Sequence, residues 1–170
     1  MKVNNRMNSL TVVLFTIYLI VLYWILLFKL GISSSYMDKR SVNLIPFNDP
    51  SIFNGENILN VVIFVPLGVY AGILFKRWTF GKKFFFFFLL SLIVEALQYI
   101  LRLGAFDVTD LITNTVGGII GLMIFKTTEK VFNNSIRAQR FVNLFAATGT
   151  VLVVLLLVLL KMNMLPVRFQ

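Results

Sequence analysis

The chain has no cysteine and no histidine among its 170 residues. Without cysteine there is no disulfide, no thiolate nucleophile and no cysteine–zinc site. Without histidine the commonest general base and commonest metal ligand are both missing, which excludes a histidine-dependent triad. Acidic residues are scarce too: seven Asp and Glu stand against sixteen Lys and Arg, for a formal net charge of +9. Any chemistry must rest on carboxylates, amides, hydroxyls, arginine and lysine.

What is abundant is apolar. The chain is 58% hydrophobic and 14% charged, with a mean hydropathy of +0.87. That is too apolar for a soluble domain, and the class it indicates is an all-α polytopic membrane protein. In a soluble protein the excess of positive charge would point to nucleic acid. Here the basic residues flank apolar segments, the arrangement by which membrane proteins set their orientation. The partner implied is the lipid bilayer, not nucleic acid. There is no glycine-rich phosphate loop of the P-loop or dinucleotide type, and no cofactor is implied.

Five apolar segments predict five transmembrane helices, at about residues 9–30, 57–75, 84–101, 108–125 and 142–160, within one membrane domain covering residues 1–170. The first follows Lys2 and Arg6. It is longer than a signal-peptide core and no small-x-small site follows, so it reads as a retained span. The polar linker 31–56 contains NLIPFNDP. Its two prolines mark a turn, re-entrant or interfacial segment on the extracytoplasmic side, or an ordinary loop whose Leu44, Ile45 and Phe47 dip into the bilayer surface. The second span opens with Asn57 and Asn60 on one face and carries Pro66 in FVPLG. Proline frees the carbonyl of Val62 and bends the helix, for packing or as a hinge. After the basic loop KRWTFGKK, with Trp78 as an interfacial anchor, the third span opens with five phenylalanines. Such a run defines no face and is expected to meet lipid.

Orientation follows from where Lys and Arg fall. One side holds Lys2, Arg6, Lys76, Arg77, Lys82, Lys83, Lys126, Lys130, Arg137 and Arg140; the other holds only Lys29, Lys39, Arg40, Arg102, Lys161 and Arg168. The N-terminus is therefore expected in the cytoplasm and the C-terminus outside. LIPF, the start of the second span and the turn RLGAFD then share the outer face.

Polarity concentrates between Ser91 and Gly121. Ser91, Glu95, Gln98 and Arg102 are spaced 4, 3 and 4, a narrow stripe of one helix face. Asp107, Asp110 and Asn114 are spaced 3 and 4 on the next span, and Gly117, Gly118 and Gly121 continue that side, where another helix backbone can approach closely. A short turn joins the spans, so the stripes face each other in a hairpin and Arg102 is expected to pair with Asp107 or Asp110. A charge in hydrocarbon costs roughly 2.5–3.5 kcal/mol on insertion scales, so such residues mark a site by default.

The candidates are Glu95, Asp107 and Asp110 for proton transfer or substrate orientation, and Arg102, Gln98, Asn57 and Asn114 for binding. Three readings stay open. The groups can simply satisfy one another, with Arg102 neutralising the aspartates. Arg102 and the amides can bind the anionic head group of a lipid-linked or lipid-phosphate substrate. The three carboxylates can hold a hard divalent cation, although their spacing matches no metal motif and no metal is assigned. A transporter is disfavoured, since five spans without an internal repeat lack the usual symmetry.

The ordered set of LIPF at Leu44–Phe47, Asn57 with FVPLG, Ser91-Glu95-Gln98, Arg102, Asp107, Asp110 and NTVGGIIG resembles the VanZ-like family of bacterial membrane proteins. The likeness covers a motif-bearing core of about residues 43–125. It implies a multi-pass protein of the bacterial plasma membrane, in a family whose founding member is associated with teicoplanin resistance in Gram-positive bacteria. On that resemblance, the expected work is at the cell envelope. The chain would lower susceptibility to teicoplanin-type lipoglycopeptides by binding or modifying a lipid-linked component, or act as a non-enzymatic membrane partner.

Overall fold

A computed structural model describes residues 2–28, 41–48 and 55–161. The rest of the linker and the C-terminal tail lie outside the described residues. The fold is helical, with α1 (Lys2–Phe28), α2 (Gly55–Leu74), α3 (Phe80–Ile100), α4 (Val108–Phe132) and α5 (Ser135–Lys161). Two short strands, β1 (Val42–Asn43) and β2 (Phe106–Asp107), pair in parallel, Val42 beside Phe106 and Asn43 beside Asp107. Among the described residues, α2, α3 and α4 are long and apolar enough to cross a membrane.

Helix ends differ from the apolar limits because capping, not hydropathy, decides where a helix stops. α3 begins at Phe80, four residues before the phenylalanine run, since the Thr79 side chain accepts from the Lys82 N–H at 3.4 Å. α4 continues to Phe132, past the apolar limit near 125, until Asn133 takes the left-handed conformation at φ 48°. α5 starts at Ser135, where Oδ1 of Asn134 accepts from the N–H of Ile136 at 2.8 Å and of Arg137 at 3.2 Å.

The core lies where α1, α2 and α3 converge, on Leu22, Phe64, Leu67, Ala71, Phe87 and Val94. Phe87 corrects the reading of the phenylalanine run as lipid-facing throughout. Phe84 and Phe85 are exposed, but Phe87 is fully buried, pressed on Gly118 so closely that a Cβ there would lie 2.6 Å from its ring.

α2 and α4 run in the same direction at very close range. A Cβ on Gly117 or Gly121 would strike the carbonyl of Val61 or Val65, and one on Gly68 the carbonyl of Gly118. The close approach expected of the α4 glycines is therefore made with α2, not with the hairpin partner α3, and α2 contributes its own spaced pair, Gly68 and Gly72. Pro66 sits inside this interface. The hydroxyl of Tyr18 donates to the carbonyl of Ile63 at 2.9 Å, one residue beyond the carbonyl that proline leaves without its donor. A neighbouring helix thus supplies a hydrogen bond in the turn that proline weakens.

Candidate functional site

The site forms where α3 ends and α4 begins. α4 starts at Asp107 because its carboxylate caps the helix: Oδ1 accepts from the N–H of Thr109 at 2.6 Å. An aspartate before the first turn, followed three residues on by Asp110, is an N-terminal signature, and both negative charges sit at the positive end of the helix dipole. The signal for that capping role is local: an aspartate directly ahead of an apolar helical run.

Each carboxylate has a defined partner. Oε2 of Glu95 accepts from the backbone N–H of Asp107 at 3.0 Å, tying α3 to the cap of α4. Oδ2 of Asp107 accepts from Nδ2 of Asn43 at 3.0 Å, which anchors β1. Oδ1 of Asp110 accepts from Nδ2 of Asn60 at 2.8 Å, across to α2. Asn60, not singled out as a site residue in the sequence, is thus the amide that engages the acidic cluster directly. Its spacing from Asn57 was the available signal, and Asn57 lies buried one turn earlier on the same helix.

Deeper in the bundle, Glu95, Gln98 and Asn114 are each only 1% exposed. Nδ2 of Asn114 donates to Oγ of Ser91 at 3.0 Å, so the predicted stripes of α3 and α4 do meet. Among the described residues, no donor reaches Oδ1 of Asn114. Those residues also contain no group of three acidic side chains placed to hold a metal ion.

Arg102 is the exception, and the expected pairing with Asp107 or Asp110 is not formed. α3 ends at Ile100, before the stripe reaches it. The N–H of Leu103 donates to the carbonyl of Gln98 at 2.9 Å and that of Arg102 to Tyr99 at 3.4 Å. This pair of bonds places Arg102 at the position glycine usually fills, at φ 58°. Leaving helical geometry turns its side chain off the stripe, and it is exposed at the rim.

The segment 41–48 roofs this end. The Phe106 N–H donates to the carbonyl of Ser41 at 3.0 Å and the Phe47 N–H to Oγ1 of Thr109, also at 3.0 Å. Its polar atoms face the start of α4, while Leu44, Ile45 and Phe47 are exposed, as are Ile100 and Leu101 at the end of α3. A second polar network, unnoticed in the sequence, joins α1 to α5 at the opposite end. The Thr11 hydroxyl bonds Asn143 and accepts from Nε2 of Gln139 at 2.8 Å. Only tertiary proximity relates residues so far apart in sequence.

The VanZ/LLP1 family model matches residues 15–133, which include every site residue above. The chain is 40% identical over 148 residues to Protein VanZ of Enterococcus faecium, covering 85% of this chain and 89% of that protein. No solved structure matches. With most of its length covered by both comparisons, the chain belongs to the VanZ/LLP1 family.

Proposed function

We propose that this is a five-span protein of the bacterial plasma membrane that lowers susceptibility to teicoplanin-type lipoglycopeptides by engaging a lipid-linked envelope component. The observation that carries this reading is the convergence of Glu95, Asp107 and Asp110 at the first turn of α4, under a roof with an apolar outer surface. A group anchored in the outer leaflet would reach this end with its lipid tail along Leu44, Ile45 and Phe47. Exposed Arg102 stands at the rim, where a planar guanidinium can take a phosphate through two hydrogen bonds. The buried amides of Gln98, Asn57 and Asn114 would orient what enters, and one of the carboxylates would accept a proton if the bound group is modified. In this orientation the N-terminus is cytoplasmic and the C-terminus extracytoplasmic. Reporter fusions after Arg77 and after Gln170 then report opposite sides.

A second reading has its own support, since Glu95, Asp107 and Asp110 all accept hydrogen bonds from within the chain. On that reading the cluster only closes the outer end of the bundle, and the protein works as a non-enzymatic membrane partner. Expression in a susceptible Gram-positive host separates the two. Glu95→Gln and Asp110→Asn should abolish any protection against teicoplanin while the protein persists in the membrane at its usual abundance. Unchanged protection in both variants would eliminate the site.

A further inference from the structure

The end of the bundle opposite the acidic cluster carries a charge excess that the fold does not balance. α3 opens there with Lys82 and Lys83 in its first turns and no acidic residue, although the N-terminal end of a helix favours negative charge. Lys76 and Arg77 follow the end of α2, and Lys126 and Lys130 come from the last turns of α4. Among the described residues of these turns, Glu129 is the lone acid. Lys83 is the unusual member, only 6% exposed. Its charged neighbours are Lys126, which repels it, and Glu129, which attracts it. No side-chain hydrogen bond or ion pair holds its ammonium among the described residues. Burying a lysine stem against apolar helices is ordinary, and it leaves the head group at the helix end with one like and one opposite charge nearby.

Beside this cluster stands an aromatic group suited to the membrane boundary. The rings of Phe75 and Trp78 stack at 4.3 Å, with Phe86 edge-on to both at 5.4 and 5.9 Å. A lysine whose stem is covered, a helix N-terminus and the neighbouring Lys82 and Lys126 together define a place for phosphate at the level of lipid head groups.

We propose that Lys83, with Lys82 and Lys126, binds the phosphate of an anionic glycerophospholipid in the leaflet at this end of the bundle. This site is separate from the acidic one and does not depend on any drug phenotype. The lipid phosphate supplies the negative charge that the first turns of α3 lack, and its acyl chains lie against the exposed rings of Phe84 and Phe85.

The chain has two tryptophans, so Trp24→Phe leaves Trp78 as the reporting indole of the full-length protein. Reconstituted in phosphatidylcholine bilayers, its fluorescence should be quenched several-fold more by brominated phosphatidylglycerol than by brominated phosphatidylcholine at equal content. That preference should shrink as salt is raised, and Lys83→Gln and Lys126→Gln should each reduce it severalfold. Equal quenching by the two lipids in the unsubstituted lysine background, or a preference that survives both substitutions, would overturn the proposal. So would loss of the preference on adding inorganic phosphate at an ionic strength where chloride has no effect, because the occupant would then be a soluble anion.

Discussion

α4 meets its two neighbours mainly by different means. Against α2 it presents bare backbone, with Gly117 and Gly121 lying on the carbonyls of Val61 and Val65. Against α3 it makes polar contacts, with the Asn114 amide on Ser91 and the Asp107 N–H on Glu95. The first contact depends on the absence of volume, the second on the presence of particular atoms. Hydrophobic burial does little to bring helices together in lipid, so close packing and interhelical hydrogen bonds must do it. This bundle uses both devices on the same helix, and each neighbour also takes a little of the other: Asp110 reaches Asn60 of α2, and Phe87 of α3 lies on Gly118. The polar device lies where the acidic cluster sits; the glycine device continues below it and holds the frame.

The contrast orders what substitutions should do. Gly121→Leu should have the largest effect, since its side chain would have to enter the backbone of α2. A cost of about 3 kcal/mol or more is expected for overpacking that no rotamer relieves. The measurement is folded protein in membranes and its melting in detergent; near-normal values for both would mean that the two helices can separate freely.

On the polar side the effect should depend on chemistry and not on size. Glu95→Leu leaves the Asp107 N–H without its acceptor at a cost of about 1–3 kcal/mol, whereas Glu95→Gln keeps an oxygen and should lose far less. Equal melting temperatures for the two variants would show that the Glu95–Asp107 bond holds nothing together. Asp107→Ala removes the cap of α4, about 1 kcal/mol, and also releases Asn43. Hydrogen exchange should then speed up in residues 41–48 more than in α2, and uniform loss of protection would contradict the anchoring of the roof by Asp107.

Arg102→Gly should change stability least, by under about 1 kcal/mol and in the favourable direction, because glycine takes φ 58° without strain. Protection against teicoplanin should nonetheless fall if the guanidinium binds phosphate, and Arg102→Lys should restore only part of it. Full protection with glycine in place would remove Arg102 from the site and leave it a turn residue.

Much of this was readable from composition and spacing. The helical class, the apolar spans of α2, α3 and α4 among the five expected, and the meeting of Ser91 with Asn114 follow from hydropathy and the helical period. Both are local properties, and local properties survive in a linear string. Arg102 shows where that reasoning breaks. Its place on the stripe holds only if the helix continues, and the helix stops two residues earlier in a pair of backbone bonds that periodicity does not encode. Phe87 shows the same limit: five identical side chains carry no pattern, so only the position of Gly118 selects the buried one.

The sequence alone determined that this chain is built of apolar helices, that Glu95, Asp107, Asp110, Gln98 and Asn114 fall in one otherwise apolar stretch, and that histidine and thiol chemistry are absent. It did so because residue type and a period of 3.6 are sufficient for those conclusions. Which helix receives the α4 glycines, which amide meets Asp110, and the joining of Thr11 to Asn143 were decided by the tertiary structure. Those are pairings between distant segments, set by which surfaces fit closely enough to satisfy one another. The same acidic stretch therefore became a capped helix start tied to α3, to α2 and to the 41–48 roof.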